Sequence, residues 1–217
     1  MTDVYVETGS KRVFACAHDW PGWCRSGKDE ASALAALASY APRYAPVARG
    51  ARIRFEASDP LLVREHLRGS ASTDFGVPEK VAARDIKPLA KAEAARLASL
   101  VDAAWVIFDK VHGGAPASLR KGPRGGGRDR DEIADHILAA EGAYVRKLGL
   151  RLAPPDRDNR AAVRTFRKAI ADVLGRPSKG GPLVEKGWPQ RYAARRIAWH
   201  ALDHAWEIED RSDPGCR

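Results

Sequence analysis

Apolar residues recur every three or four positions through the second half of the chain, which is the spacing of amphipathic helices. Four segments show this spacing, at about 87–112, 129–148, 157–174 and 190–210. Their apolar stripes contain Leu97, Leu100, Val101, Ala104, Trp105, Phe108 and Val111 in the first; Ile133, Ile137, Ala140 and Tyr144 in the second; Val163, Phe166, Ile170 and Val173 in the third; and Ile197, Ala201 and Ile208 in the fourth. Gly- and Pro-rich stretches separate the segments, so the pattern predicts a four-helix bundle over about residues 87–211.

The first part of the chain has shorter and mixed patterns. Residues 3–8 and 11–17 predict two short strands around a Gly-Ser turn, and clean alternation predicts a further half-buried strand over 51–57. Apolar residues at helical spacing predict a helix over 28–41, which the two prolines that follow it would end. Strands and a helix in one short stretch indicate a small α+β unit.

Residues 58–86 are polar and irregular, with the turn-rich stretch TDFGVP, and mark a boundary between two domains. The sequence predicts a small N-terminal α+β domain over residues 1–82 and an all-α four-helix bundle over residues 87–211. The fold class is therefore α+β, and 217 residues are enough for two such units.

Composition narrows the partners that we expect for this chain. The net charge is +9, but the Lys and Arg residues are spread along the sequence. The local run LRKGPRGGGRDR contains Arg120, Lys121, Arg124, Arg128 and Arg130, and its Gly and Pro content predicts a solvated loop. We therefore expect no specific nucleic-acid partner. No window approaches about 18 consecutive apolar residues and no secretion signal is visible, so we expect no membrane partner.

The three cysteines, Cys16, Cys24 and Cys216, form no CxxC pair. An odd and scattered set argues against a disulfide framework and for a reducing compartment, so the expected location is the cytoplasm. The glycine-rich stretch KGPRGGGR lacks the GK[ST] ending of a nucleotide-binding P-loop, and no nucleotide cofactor is expected.

Histidines supply the clearest chemical signal. His200 and His204 lie four residues apart on the last predicted helix, which places their Cβ atoms about 5–6 Å apart. Two imidazoles at that spacing can bind one metal ion through bonds of roughly 2.0–2.1 Å. His136 lies on the apolar stripe of the second helix, so all three side chains point toward the bundle interior. From spacing alone, three hydrogen-bonded core histidines are an equal alternative.

Two segments resemble the DinB/YfiT-like metal-binding bundles. AWHALDHAWEIEDR looks like their last helix, which ends on an HxxxH pair, and DRDEIADHILAAEGAYVRKLG resembles their second helix with its single histidine. The resemblance covers roughly residues 87–211 and implies that His136, His200 and His204 bind a divalent metal ion, often zinc or nickel. It also implies one coordination position left to water. Members of that superfamily include thiol-cofactor-dependent transferases and isomerases, and many have no assigned activity.

Two carboxylates, Asp203 and Glu207, lie beside the HxxxH pair and are candidate catalytic or imidazole-orienting residues. Surface salt bridges, for instance from Asp203 to Arg196 or from Glu207 to Arg211, are the favoured alternative. Glu132, one turn before the first histidine, has the same two interpretations. The segment HALDH lacks the glutamate that follows the first histidine of zincin proteases, so we expect no protease of that class.

The remaining histidines receive no metal role. His112 is interpreted as a helix-end residue, and His18 and His66 lie outside the bundle. Trp199 and Trp206 lie seven residues apart on one helix face. Core packing is the expected role of these two rings, with a pocket wall or a dimer face as the alternative.

The N-terminal segment FACAHDWPGWCRSGKDEASALAALASY resembles the HicB-like antitoxin fold. The matching positions are Pro21, Gly22, Gly27, Asp29, Glu30, Ala31, Leu34 and Leu37, within about residues 3–57. The sequence departs from that family because Trp23 follows the Pro-Gly pair and no DNA-binding tail follows the module. The module would then cover the bundle or join two copies in a homodimer.

The sequence therefore predicts a cytoplasmic metalloprotein that acts on a small molecule, as a thiol S-transferase or a hydrolase. The alternative is a non-catalytic regulatory protein, antitoxin-like or nucleic-acid-associated, with a structural metal ion. The sequence names neither the substrate nor the metal.

Overall fold

The N-terminal part of the protein is a four-stranded mixed sheet. The computed structural model describes residues 1–56, 60–122 and 126–212. The strands are β1 (Thr2–Thr8), β2 (Val13–Ala17), β3 (Cys24–Gly27) and β4 (Leu61–Arg68), in the spatial order β3-β2-β1-β4. β1 pairs antiparallel with β2 and parallel with β4, and β2 pairs antiparallel with β3. β1 is thus internal to the sheet, and its residues Val4, Tyr5 and Val6 are almost fully buried.

Three short helices accompany the sheet, α1 (Glu30–Ser39), α2 (Ala41–Gly50) and α3 (Ala71–Phe75). α1 begins after Asp29 because the Asp29 carboxylate accepts a hydrogen bond from the backbone N–H of Ser32, at 2.8 Å. α1 packs on β2 and β3, whereas α2 packs on the long helix α4 (Lys91–Gly114). The helices therefore connect the sheet to the second half of the chain.

Four long helices follow the sheet and pack together: α4, α5 (Arg130–Lys147), α6 (Arg160–Leu174) and α7 (Gln190–Arg211). The predicted starts at 87, 129, 157 and 190 compare with observed starts at 91, 130, 160 and 190. α6 starts later than predicted because the Asn159 side chain caps it, accepting from the Ala162 N–H at 3.0 Å. The predicted α+β fold class is confirmed. Within the described ranges, none of the helices is long and apolar enough to cross a membrane.

One continuous apolar core joins the sheet to the helices. Its most buried members include Val4 and Val6 on β1, Leu100 and Val101 on α4, Ile133 and Ile137 on α5, Ile170 on α6, and Ile197 and Ile208 on α7. Burial of such a side chain contributes roughly 1.5–3 kcal/mol. α7 contacts α4, α5 and α6 and is buried along its length, so it forms the centre of the helical part.

Trp199 and Trp206 of α7 are buried, as predicted for core residues. The Trp199 ring meets Phe14 of β2 edge-on, with 6.3 Å between ring centres. The Trp206 ring meets Tyr40, which lies between α1 and α2, at 5.0 Å. The two tryptophans therefore pack α7 against the N-terminal part of the protein.

The helix predicted over 28–41 corresponds to α1, which ends at Ser39, before the prolines. The sequence did not predict α2, which follows at once and contains Pro42 and Pro46. Pro42 fits there because residues in the first turn of a helix need no intrahelical N–H donor. The proline pair therefore belongs to a second short helix.

The strand predicted over residues 51–57 is also absent over 51–56, where the backbone is irregular. Arg52 has a positive φ of 58°, which an extended strand does not allow. Phe55 nevertheless packs into the aromatic group around Trp23, at 5.1 Å, so the alternation reflects a half-buried loop. Ala57 lies outside the described residues.

Residues 58–86, predicted to be irregular, contain β4 and α3 instead. The half-buried positions of β4 alternate through Val63, Glu65 and Leu67. Glu65 interrupts the apolar pattern, and it is tolerated on the inner side because its carboxylate accepts the Ala83 N–H at 2.9 Å. β3, which was not predicted, has only four residues and begins at a cysteine after a loop.

Cys16 and Cys24 form a disulfide between β2 and β3. The two residues lie directly opposite each other in the antiparallel register. The prediction against disulfide pairing is therefore wrong for this pair, because the register depends on β3 and the sequence pattern does not reveal that strand. Cys216 lies outside the described residues.

Candidate metal centre

The facing sides of α5 and α7 bring three histidines together. His136 projects from the middle of α5, and His200 and His204 project from successive turns of α7. The ring centres of His136 and His200 are 5.0 Å apart, those of His136 and His204 5.1 Å, and those of His200 and His204 4.8 Å. The three rings thus form a nearly equilateral triangle, as the sequence predicts.

The nitrogen atoms of this triangle lie close enough together that the three residues could hold one metal ion. One ring nitrogen from each histidine lies within 4.8 Å of the others, and the Nε2 atoms of His136 and His200 are 3.1 Å apart. Bonds of roughly 2.0–2.1 Å require two nitrogen ligands to lie less than about 4.2 Å apart, and the His136–His200 pair meets this limit. Imidazole is a ligand that zinc, nickel and copper all accept, so the donor set does not select one of them.

Glu207 fixes the orientation of one of the three rings. Nδ1 of His204 lies 2.7 Å from Oε2 of Glu207, three residues later on α7. Because the carboxylate can only accept, Nδ1 of His204 carries a proton and donates it to Glu207. A carboxylate in this position is the usual second partner of a metal-binding histidine.

Arg211 holds the other oxygen of the same carboxylate, with Nη1 at 2.6 Å from Oε1 of Glu207. Burial alone would raise the pKa of Glu207, but the hydrogen bonds and charges of His204 and Arg211 outweigh it and lower the pKa. Glu207 therefore stays ionised. The two interpretations of Glu207, imidazole partner and salt bridge to Arg211, are both true at once.

The environment keeps the other two imidazoles neutral. Burial lowers the pKa of His200 well below its usual range, and the charges of His204 and Arg196 lower it further. Burial also lowers the pKa of His136, with the charge of His204 as the next cause. Neutral imidazole is the form that binds a metal ion, so these rings have the required protonation state.

Hydrogen bonds among the histidines leave part of the site unsatisfied. The His136–His200 contact pairs one nitrogen of each ring, whereas the buried Nδ1 of His200 has no partner among the described residues. The three histidines could hold a metal ion between their facing nitrogens. An ion bound there would leave Nδ1 of His200 without a partner too, so this nitrogen does not distinguish a metal site from three core histidines.

The other candidate carboxylate, Asp203, points away from the triangle. Its Oδ1 accepts a hydrogen bond from Arg25 of β3 at 2.8 Å, which ties α7 to the sheet. The salt bridge predicted from Asp203 to Arg196 is thus replaced by one to Arg25. Glu132 caps α5, where its carboxylate accepts the Asp129 N–H at 2.7 Å. A catalytic role for Asp203 or Glu207 stays a prediction.

The three remaining histidines lie elsewhere. His112 pairs with Asp131 at 3.0 Å, near the end of α4. His66 lies on β4 and faces Glu30 at 3.1 Å. His18 is buried, with its ring centre 5.3 Å from that of Tyr5. Within the described ranges, the group suited to hold a metal ion is the triangle on α5 and α7.

Sequence reasoning did not assign Tyr144 and Arg196 to the site. The Tyr144 ring centre is 6.0 Å from that of His200, and the Arg196 guanidinium is 5.6 Å from the Tyr144 ring. Arg196 lies four residues before His200, as His200 lies four before His204. The same four-residue spacing, taken one turn upstream of His200, therefore identifies Arg196 as a neighbour of the site.

Comparison with known proteins finds no matching family model, no matching curated protein and no matching solved structure. The DinB/YfiT-like and HicB-like resemblances therefore remain resemblances between short motifs.

Proposed function

We propose that this chain is a metalloenzyme that holds one divalent ion through His136, His200 and His204 and acts on a small molecule. The observation that carries the proposal is the Glu207–His204 hydrogen bond of 2.7 Å. It fixes the His204 ring and supports it as second partners do in metal sites.

The accessibility of the triangle supports a catalytic ion over a structural one. His136 and His204 are half-buried, and the His204 side chain retains 14% of its exposure, so solvent reaches one side of the site. Structural zinc sites close their shell with four protein ligands, whereas catalytic sites keep three and leave a position open. The group found among the described residues has three members.

When bound, the ion would supply Lewis acidity, which polarises a substrate oxygen or activates a water or a thiol. The chain's own contribution is to hold three imidazoles, of which burial keeps His136 and His200 neutral, and to fix His204 through Glu207. In keeping with the DinB-like resemblance, we propose zinc or nickel as the ion, and thiol S-transfer or hydrolysis as the reaction. A cytoplasmic location, a homodimer and the lack of a specific nucleic-acid partner stay predictions.

Elemental analysis of protein purified without a histidine tag tests the proposal. We expect about one divalent ion per chain, lost in each of His136→Asn, His200→Asn and His204→Asn. His112→Asn is the matched control, because it removes a half-buried helical histidine that pairs with Asp131 instead. A wild-type protein that contains no ion, and takes up none from zinc or nickel solutions, would contradict the proposal.

A further inference from the structure

Two arginines flank the histidine triangle at opposite ends. Arg196 lies one turn before His200 on α7, and its guanidinium is 4.7 Å from the ring centre of Trp199. α5 runs antiparallel to α7, since Tyr144 faces His200 and His136 faces His204. Arg128, just before α5, therefore lies at the other end of the site.

Neither arginine has an anionic partner within the described parts of the chain; Arg196 is half-buried and Arg128 is exposed. The two buried arginines of the described structure, Arg195 and Arg167, are paired, Arg195 with Asp85 and Arg167 with Glu141 and Asp109. By contrast, no carboxylate contacts Arg196 or Arg128, and Nη1 of Arg196 is buried without a hydrogen-bond partner among the described residues. A buried charged N–H without a protein partner is costly, so Nη1 of Arg196 is suited to donate to an anion.

Two cationic side chains act on the histidines of the triangle. Arg196 and Arg128 both act on His200 electrostatically, and Arg128 also acts on His136. Glu207 is the carboxylate in contact with the triad, and it already serves His204 and Arg211. A divalent ion bound by the three imidazoles would add its charge to that of these two cationic side chains.

We propose that the small molecule bound at this site is an organic acid, with a carboxylate held by Arg196 beside the triad and Arg128 attracting a further anionic group. The guanidinium donates in the planar, two-pronged geometry that matches a carboxylate. Trp199 and Tyr144 lie against the same guanidinium and limit its orientations. This inference rests on the proposed metal function, because the ion adds to the positive charge of the site.

Calorimetric titration of zinc-loaded, tag-free protein with acetate, malonate and succinate tests the inference. We expect at least one of these acids to bind and the neutral diamide succinamide not to bind. Arg196→Gln should weaken binding by about tenfold or more, as expected for loss of a hydrogen bond between charged groups. Arg128→Gln should weaken it about twofold to fivefold, because this side chain is exposed.

Arg164→Gln is the control, since Arg164 is an exposed arginine of α6 with no ion pair in the described structure. Its binding should equal that of the wild type. Zinc content measured on the same samples separates the two proposals: absent zinc contradicts the metal function. Full zinc with no acid bound, or with equal binding by wild type and both arginine variants, overturns the organic-acid inference. Loss of zinc in Arg196→Gln would also overturn it, because the arginine would then act on the ion.

Discussion

Two acidic residues four positions apart on α7 have different partners. Glu207 contacts His204 and Arg211, whereas Asp203 contacts Arg25 of the sheet. Sequence spacing places both beside the HxxxH pair and cannot distinguish them. The difference arises because four residues advance roughly 400° around α7, so the two carboxylates lie about 40° apart around the helix and one turn apart along it, next to different neighbours.

Exchanging each carboxylate for its amide should separate these roles. Glu207→Gln weakens the support of His204, and losses of about 10–100-fold in metal affinity are typical for such partners. Asp203→Asn, the matched control, should leave metal affinity unchanged, since its side chain faces Arg25. Metal affinity measured by competition with a chelator checks both variants. Equal losses in the two would show that Glu207 has no special link to the site.

Buried His18 gives a prediction about pH. Burial, and next the charge of Arg195, lower its pKa from 6.5 to about 4, with Asp85 opposing. Between these values the unfolded chain takes up a proton that the folded protein does not, so stability is lost as pH falls from 6.5 toward 4. Through His18, the free energy of unfolding of the wild type should fall by up to about 3 kcal/mol over this pH range. In His18→Asn this part of the fall should be absent.

Urea unfolding at several pH values measures the effect of His18→Asn. His66→Asn is the control, because His66 is exposed on β4 and faces Glu30. Its pH dependence should follow that of the wild type. The same pH dependence in His18→Asn and wild type would refute the assignment of this loss to His18.

At the level of elements, the helices that build the site follow from the sequence and much of the sheet does not. Each of α4 to α7 carries an apolar stripe long enough to show the helical spacing in the sequence. The same spacing places His136, His200 and His204 on the inward faces of α5 and α7. β3 has four residues, and β4 has Glu65 on its inner side, so neither presents a clean alternation. Short strands are stabilised by their neighbours, and pairing partners are not visible in a local pattern.

α6 is attached to its neighbours by a buried ion pair. Arg167 of α6 lies 3.4 Å from Glu141 of α5 and 2.9 Å from Asp109 of α4. Glu141 is almost fully buried and also accepts the indole N–H of Trp105 at 2.6 Å. Burial raises the pKa of Glu141, and the charge of Arg167 opposes the rise. The ionised form of the Glu141 carboxylate is therefore stabilised by the positive charge of Arg167.

Arg167→Met should destabilise the protein by about 3–5 kcal/mol, because it leaves Glu141 buried without its cation. The double variant Glu141→Gln/Arg167→Met should recover most of that loss, since no buried charge is left, Asp109 being 60% exposed, and Gln can still accept from Trp105. The free energy of unfolding in urea measures both. A double variant as unstable as the single one would show that packing, and not the uncompensated charge, is decisive.

For the whole molecule, the continuous apolar core implies that the fold does not depend on the metal ion. The core runs from Val6 of β1 to Ile208 of α7, and the triangle lies at one side of it. An ion bound to a preformed site adds stability only through its occupancy, about 2.7 kcal/mol at a hundredfold excess over its dissociation constant. This contrasts with small zinc modules, which unfold without metal.

We therefore expect His204→Ala and the chelated wild type to remain helical and to melt cooperatively. Their melting temperatures should fall by roughly 5–10 °C relative to the metal-loaded protein. Circular dichroism during heating provides the measurement. A variant that is unfolded at room temperature would mean that the ion is structural, and would favour the non-catalytic alternative.

The central claim is that one divalent ion binds among His136, His200 and His204. Anomalous diffraction at the zinc and nickel absorption edges, from crystals of tag-free protein, tests it most directly. The account predicts a single strong peak at roughly 2.0–2.1 Å from one nitrogen of each of the three rings. Metal-soaked crystals with no peak there, or with the peak at another site while the three histidines stay hydrogen-bonded to one another, would contradict it.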